Sequence, residues 1–377
     1  MKDKILNFIG LFFSIIVIIM FIILIYVSYV SITGNPLIDI YKYEYGEAGY
    51  PTSQTTPAKE ETYVETSNSD LFSGVNGNST SKETGKYQNR FLYNQLDKTG
   101  KIIYDKLYEN KESMKTGTYK LEFGNTFKNV LSQDNGSAEL KKQYQIAIEA
   151  FLYENPDVFY LNVSNMYINI EKITKIEGIK YNVYIANGSE GSYLSEQYNT
   201  KEKIDECQKQ IEQERDKILA KVEGKSDYEK IKGVHDYLVD TITYKRYIKD
   251  DAFNIYGALV LKECVCEGYA KTFQYLMNEL GIDNMIAIGT GIDYDNKSET
   301  HAWNYVKLDG NWYAMDVTWD DPVADGFFIL TNEYKYKYFL KGSDTFFNNH
   351  ITTGQFTEDG KVFSYPTLSL KAYKKNK

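Results

Sequence analysis

The sequence has few cysteines and few histidines, with three residues of each among 377. The cysteines are Cys207, Cys264 and Cys266, and this small, odd number argues against a disulfide framework. Their spacing is not that of a zinc site either. At least one thiol is therefore expected to be free, as a cysteine nucleophile requires.

Basic residues are outnumbered, since 43 Lys and Arg face 52 Asp and Glu for a formal net charge of −9. An acidic chain of this kind is repelled by phosphate backbones, so we expect no nucleic-acid partner. The length leaves room for two ordinary domains.

The longest apolar stretch runs from Ile5 to Ile32 without a charged residue. As a helix it would be about 42 Å long, enough to cross a bilayer core of about 30 Å with some tilt. The stretch is longer than the apolar part of a signal peptide and lacks an evident cleavage site, so we predict a transmembrane helix, with a cleaved signal peptide as the alternative. Because Lys2 and Lys4 precede it, we expect a single-pass cell-membrane protein whose body is extracytoplasmic.

Downstream of this helix the composition changes twice. Ser, Thr, Gly, Glu and Asn dominate up to about Tyr87, which predicts a flexible, disordered stalk. Apolar periodicity then predicts helices and a hairpin that turns at Glu177-Gly178, typical of a small α+β domain. The expected organisation is a cytoplasmic N-terminus over 1–4, a transmembrane helix over 5–32, a stalk over 33–89, an α+β domain over 90–200 and a second domain over 201–370.

Two amphipathic helices are predicted at the start of the second domain, from Lys201 to Val222 and from Tyr228 to Ile242. Cys207 lies on the apolar face of the first helix and is interpreted as a core residue. His235 lies beside the stripe of the second and is not expected to be catalytic. His350, near the C-terminus, is interpreted as part of a solvated end.

The chemistry is expected between Glu263 and Pro322. Cys266 precedes a helical pattern that ends at Gly281, so its thiol would lie at the positive end of a helix dipole, which stabilises a thiolate. His301 begins one predicted strand and Asp316 ends the next, with a turn at Asp309-Gly310 between them. Adjacent antiparallel strands would bring the two side chains together, so that Asp316 orients His301 while the other imidazole nitrogen takes the Cys266 proton.

Three short blocks in this region, CVCEGYA, HAWNYV and WYAMDVTWDDP, resemble the signature blocks of the transglutaminase-like superfamily. The resemblance covers about a quarter of the chain, from roughly Lys225 to Pro322. It implies an α+β, papain-like core in which a helix bearing the cysteine packs on an antiparallel sheet bearing histidine and aspartate. It also implies Cys266 as nucleophile, His301 as base and Asp316 as the residue that orients the base.

Several further residues are assigned weaker roles. The Cys266 backbone N–H and the Tyr256 hydroxyl are candidate oxyanion donors, and Trp303 and Trp319 are expected to pack the sheet and wall the cleft. Cys264 is expected to be a packed thiol, or to form a strained disulfide that masks Cys266. Asp320 and Asp321 are a poor calcium site, so we expect no metal and no cofactor.

The sequence thus predicts a membrane-anchored enzyme that forms an acyl-thioester on Cys266. Water as acceptor would make it a peptidase or amidase, and an amine would make it a transglutaminase. Peptides, proteins or cell-wall peptides are the expected substrates. The alternative is an inactive binding or assembly module on the same scaffold, which the presence of all three triad residues disfavours.

Overall fold

A computed structural model describes residues 90–176, 178–188, 191–245, 250–293, 296–321, 332–352 and 363–375. The segments predicted as N-terminus, transmembrane helix and stalk lie outside these residues. Within the described ranges, no helix is both long enough and apolar enough to cross a membrane. All of the described residues belong to one unit, Pro51–Lys377.

Among the described residues before Thr200, four α-helices accompany a sheet. The helices are α1 Lys98–Glu109, α2 Lys111–Met114, α3 Lys128–Leu131 and α4 Gly136–Glu154. The carboxylate of Asp97 caps α1 by accepting from the Gly100 N–H at 2.7 Å. Glu154, buried at the end of α4, accepts from the Leu92 N–H at 2.6 Å and the Tyr104 hydroxyl at 2.8 Å. These bonds tie the start of the described chain to the two longer helices.

The predicted hairpin is confirmed. Strands β1 Leu121–Gly124, β2 Met166–Lys175 and β3 Gly178–Asn187 form an antiparallel sheet in the order β1-β3-β2. Gly178 at the turn has φ +124°, a conformation that side chains rarely adopt.

Both amphipathic helices of the second half are confirmed, as α5 Lys201–Val222 and α6 Asp227–Thr241. Ser226 and Glu229 form a reciprocal capping box at the start of α6, which explains why that helix begins where it does. Cys207 is fully buried on α5, so its interpretation as a core residue is also confirmed.

The described residues after α6 contain a helix packed on a four-stranded antiparallel sheet. Two short parallel strands, β4 Thr243–Tyr244 and β5 Glu263–Cys264, lead into the helix α7 Cys266–Glu279. The sheet has the order β8-β7-β6-β9, with β6 Asn284–Ile292, β7 Ser298–Leu308, β8 Asn311–Met315 and β9 His350–Thr352. Two single-turn helices, α8 Asn332–Lys335 and α9 Ser343–Phe346, precede β9.

The helix and the sheet are joined by packing and by a buried hydrogen bond. The side-chain amide of Asn304 on β7 donates to the Ala270 carbonyl on α7 at 3.0 Å. The turn between β7 and β8 has positive φ at both Asp309 (50°) and Gly310 (81°), as a tight two-residue hairpin requires. The predicted α+β architecture is therefore present, with the edge strand β9 as an element that the sequence did not indicate.

Candidate active site

Cys266 is the first residue of α7, as the sequence predicted. Val265 before it is extended (φ −105°, ψ −178°), so the chain turns into the helix at the cysteine. The first backbone N–H groups of a helix have no partner inside the helix, and Cys266 therefore presents both its thiol and its N–H at the positive end of the dipole. Its side chain is half-buried.

Glycine at position 268 explains how the start of α7 can lie so close to its surroundings. A Cβ at Gly268 would be 2.5 Å from the Cys264 Cβ and 2.6 Å from the Ala252 carbonyl oxygen. Any larger residue would push the helix away from β5. All three cysteines are free thiols, so Cys264 and Cys266 do not form the disulfide that was one of the two expectations. Burial, with the nearby Cys266, raises the pKa of the Cys264 thiol well above its ordinary value.

The sheet brings the predicted base and its orienting carboxylate together. His301 lies on β7, Asp316 follows the last residue of β8, and each residue is only 1% exposed. The His301 Nε2 is 2.7 Å from Asp316 Oδ2, and the Cys266 thiol lies near enough to the imidazole to raise its pKa. Because Nε2 faces the carboxylate, Nδ1 is the nitrogen available to the thiol. The fold therefore brings Cys266, His301 and Asp316 together, with His301 between the thiol and the carboxylate.

The electrostatics of this line favour a positive imidazole beside a negative carboxylate. Burial disfavours a charge on His301, but Asp316 and Cys266 outweigh burial and hold the pKa of the imidazole well above its ordinary value. Burial also opposes the Asp316 charge, yet the contacts with His301 and His350 hold the pKa of this carboxyl below its ordinary value. An imidazolium next to a thiol favours the thiolate.

His350 was missed by sequence reasoning, and its interpretation as part of a solvated end is wrong. The side chain is fully buried, and its Nε2 is 2.9 Å from Asp316 Oδ2. The cause is the pairing of β9 with β6, which brings a residue 34 positions beyond Asp316 back to the site. The sole hint in the sequence is that histidine is rare in this chain.

Aromatic rings enclose the histidines. The Trp319 ring stacks on His301 with centroids 4.7 Å apart and planes at 22°, and it lies 4.6 Å from the His350 ring. Trp303 is 1% exposed and meets His350 edge-on at 5.0 Å, so it packs behind the triad. A Cβ at Gly291 would be 2.8 Å from the Trp319 ring, which shows that this glycine makes room for the indole.

A second buried histidine–aspartate pair holds the segment that follows Asp316. His235 on α6 has Nε2 3.1 Å from Asp320 Oδ2 and Nδ1 3.1 Å from Asp236 Oδ1. The other Asp320 oxygen accepts from the Tyr338 N–H at 2.7 Å, and the Asp320 N–H donates to the Asp316 carbonyl at 3.1 Å. Both ring nitrogens of His235 thus meet carboxylates, as suits a structural residue.

Tyr256 is placed differently from the other predicted residues. Its hydroxyl donates to the Gln210 side chain at 3.0 Å, and its ring packs edge-on against Tyr198 with centroids 6.0 Å apart. An oxyanion role would require the hydroxyl to leave Gln210, so the geometry gives that assignment no support.

One group of potential metal ligands occurs among the described residues, formed by His301, Asp316 and His350. Its bonded N···O pairs are 2.7 and 2.9 Å apart, whereas tetrahedral ligands at about 2.1 Å from zinc lie about 3.4 Å from one another. The distances fit protons shared between these atoms and do not fit an ion. The expectation that no metal takes part stays a prediction.

Comparisons with known proteins bear on the same region. Residues 216–317 match the family model of the transglutaminase-like superfamily. The kyphoscoliosis peptidase of Homo sapiens is 26% identical over 170 residues, which are 41% of this chain and 24% of that protein. The Mus musculus protein of the same name is 27% identical over 145 residues, 34% of this chain and 21% of that one. This chain therefore matches less than a quarter of the length of these curated relatives.

Among solved structures, the crystal structure of a TGase matches 47% of this chain and 50% of its own, with 16% sequence identity and a TM-score of 0.28.

Proposed function

Because this chain carries a domain of the transglutaminase-like superfamily, we propose that it is a cysteine acyl-transfer enzyme acting on amide bonds of peptides or proteins. The observation that carries the proposal is the placement of His301 between the Cys266 thiol and the Asp316 carboxylate, which it hydrogen-bonds at 2.7 Å. A histidine that only packs in the core would not need a thiol on one side and a carboxylate on the other. An inactive binding module is disfavoured for the same reason.

The reaction begins with transfer of the thiol proton to His301 Nδ1. The Cys266 thiolate then attacks the carbonyl carbon of the amide, and the electron pair of the C=O moves onto oxygen. When the tetrahedral intermediate collapses, the C–N bond breaks and His301 gives its proton to the leaving amine. The product is an acyl-thioester on Cys266, while Asp316 stabilises the imidazolium through Nε2.

The second half of the reaction uses the same groups in reverse. His301 takes a proton from the acceptor, which attacks the thioester and releases the Cys266 thiolate. Water as acceptor gives hydrolysis and a primary amine gives transamidation. Developing charge on the carbonyl oxygen would be met by the Cys266 N–H, which has no partner within α7 because it lies at the start of the helix.

We further propose that the enzyme is anchored in the cell membrane by residues 5–32 and acts outside the cytoplasm. The uncharged apolar run and the lysines before it support this location. Cell-wall peptides would then be within reach as substrates, together with surface peptides and proteins.

The direct test uses the full chain and a generic acyl donor, a p-nitrophenyl ester. We expect a rapid release of p-nitrophenol equivalent to the enzyme present, followed by slower turnover, and mass spectrometry should find the acyl group on Cys266. Adding a primary amine and measuring the amide product separates transamidation from hydrolysis.

The test variant is Cys266→Ala. Its matched control is Cys207→Ala, since Cys207 is a buried thiol of the same chain. The burst should vanish in the first variant and persist in the second. An unchanged burst in Cys266→Ala, or an acyl group found elsewhere, would contradict the proposal.

A further inference from the structure

Asp316 Oδ2 is shared by two histidines, and one of them has no place in the acyl-transfer steps. His301 Nε2 lies 2.7 Å from this oxygen and His350 Nε2 lies 2.9 Å from it. We propose that His350 is a positioning residue for the reaction, which fixes the Asp316 carboxylate so that His301 presents Nδ1 to Cys266. This inference rests on the proposed function and adds a fourth residue to its machinery.

His350 is itself held firmly in place. It is the first residue of β9, which pairs with Gly291 of β6, and its ring stacks on Phe346 with centroids 3.9 Å apart. Its Nδ1 lies 3.0 Å from the Asn349 side chain, which in turn donates to the Tyr338 hydroxyl at 2.8 Å. The Nε2 atom is therefore aimed at Asp316 by backbone pairing and stacking.

The carboxylate of Asp316 is bound at both of its oxygens. The Trp319 N–H donates to Oδ1 at 3.1 Å, and the two histidines share Oδ2. With His301 alone on Oδ2, the carboxylate could turn together with the imidazole. With His350 anchored on β9, rotation would break a second hydrogen bond to a buried charge, which is a strong interaction.

The charge state of His350 suits this role. Burial lowers the pKa of its imidazole, and the nearby His301 lowers it further despite the contact with Asp316. A neutral His350 donates one N–H to Asp316 and does not neutralise it. The negative charge is left to stabilise the His301 imidazolium.

The test measures the reactivity of Cys266 without any substrate. The full chain is alkylated with iodoacetamide from pH 5 to 9, and mass spectrometry gives the rate at Cys266. His350→Leu removes the donor at similar side-chain size, whereas His350→Gln keeps an N–H that can reach Asp316. We expect alkylation at pH 6 to be about tenfold slower in His350→Leu and within about threefold of wild type in His350→Gln.

The matched control is the other buried histidine, as His235→Leu and His235→Gln, since Asp320 does not contact His301. Thermal unfolding of each variant shows whether it is folded at the temperature of the assay. If His350→Leu does not fold, the pKa of His301 is measured by NMR in wild type and in His350→Gln. A His301 pKa well above 6.5 in both proteins supports the role. A His301 pKa that falls to an ordinary value in His350→Gln contradicts it.

Failure of the His350 role and failure of the proposed function give different results in this experiment. Fast alkylation of wild-type Cys266 that is unchanged in a folded His350→Leu overturns the role of His350 alone. Equal slowing in His350→Leu and His350→Gln also overturns it, because a retained donor should restore the rate. Slow wild-type alkylation that is indifferent to His301→Ala overturns the proposed function and this inference with it.

Discussion

This protein has two buried histidine–aspartate pairs, whose aspartates, Asp316 and Asp320, are four residues apart. The pairs differ in the group that the second nitrogen of each histidine faces. The imidazole on Asp316 has the Cys266 thiol as its other neighbour. The imidazole on Asp320 belongs to His235, whose other nitrogen meets the Asp236 carboxylate. A proton can move between thiol and imidazole in the first arrangement. In the second, both neighbours are acidic, so the proton stays on the ring and holds the fold together.

The largest effect should come from removing each carboxylate charge. Asp316→Asn leaves the orientation of His301 unsupported, and we expect ester turnover to fall about a hundredfold or more. Asp320→Asn breaks a buried ion pair that does not reach the thiol, so we expect about 3 kcal/mol lower free energy of unfolding. Turnover in the folded Asp320→Asn protein should stay within about threefold of wild type.

The two measurements are ester turnover and urea unfolding, applied to both variants. A comparable loss of turnover from the two substitutions would show that the Asp316 and Asp320 pairs do not have separate roles in catalysis and stability.

A second difference is expected in the dependence of stability on pH. Burial raises the pKa of Asp320 to about 6. Burial opposes a charge on His235, but Asp236 and Asp320 outweigh burial and raise its pKa. The folded chain therefore keeps protons that the unfolded chain releases, and stability falls as pH rises through the raised values. Asp316 has the opposite sign, since its lowered pKa gives stability above about pH 4 that is lost in acid.

We therefore expect the free energy of unfolding to fall less steeply between pH 6.5 and 9 in His235→Gln than in wild type. His301, whose pKa is also raised, contributes the slope that remains. Urea unfolding at several pH values measures both slopes. Identical slopes would mean that His235 is not protonated in the folded protein.

How much of this site the sequence could predict follows from the range of each contact along the chain. Cys266 was located from a helix start, and His301 and Asp316 from a hairpin with a two-residue turn, all of which are local patterns. His350 depends on β9 pairing with β6, and no local pattern specifies which strand a three-residue edge strand will join. The Asp320 contact with His235 spans 85 residues and was equally out of reach.

The roles of aromatic residues were only partly predictable for the same reason. Trp319 follows Asp316 closely and was expected near the site, but its stacking on His301 depends on space that Gly291 leaves on another strand. Tyr256 was placed near the cysteine by sequence order, whereas packing against Tyr198 turns its hydroxyl toward α5.

The smallest expected effect concerns the space that Gly291 leaves for the Trp319 ring. Gly291→Ala would place a Cβ 2.8 Å from the Trp319 ring and 3.2 Å from the His301 Cβ, so one of these side chains must shift. We expect Cys266 alkylation at pH 6 to slow by about fivefold. The control is Gly100→Ala on α1, where the nearest atom would be 3.3 Å away and the alkylation rate should not change. An unaltered rate in Gly291→Ala would mean that the stacking does not hold His301 in position.

The most direct measurement of the central claim is the pH profile of Cys266 alkylation by iodoacetamide in wild type and His301→Ala. If Cys266, His301 and Asp316 work as a unit, the wild-type thiol should react rapidly well below pH 8 and lose that reactivity in the variant. An ordinary thiol reacts appreciably only as pH approaches about 8.5. A wild-type profile of that kind, unchanged by His301→Ala, would contradict the catalytic role of these three residues.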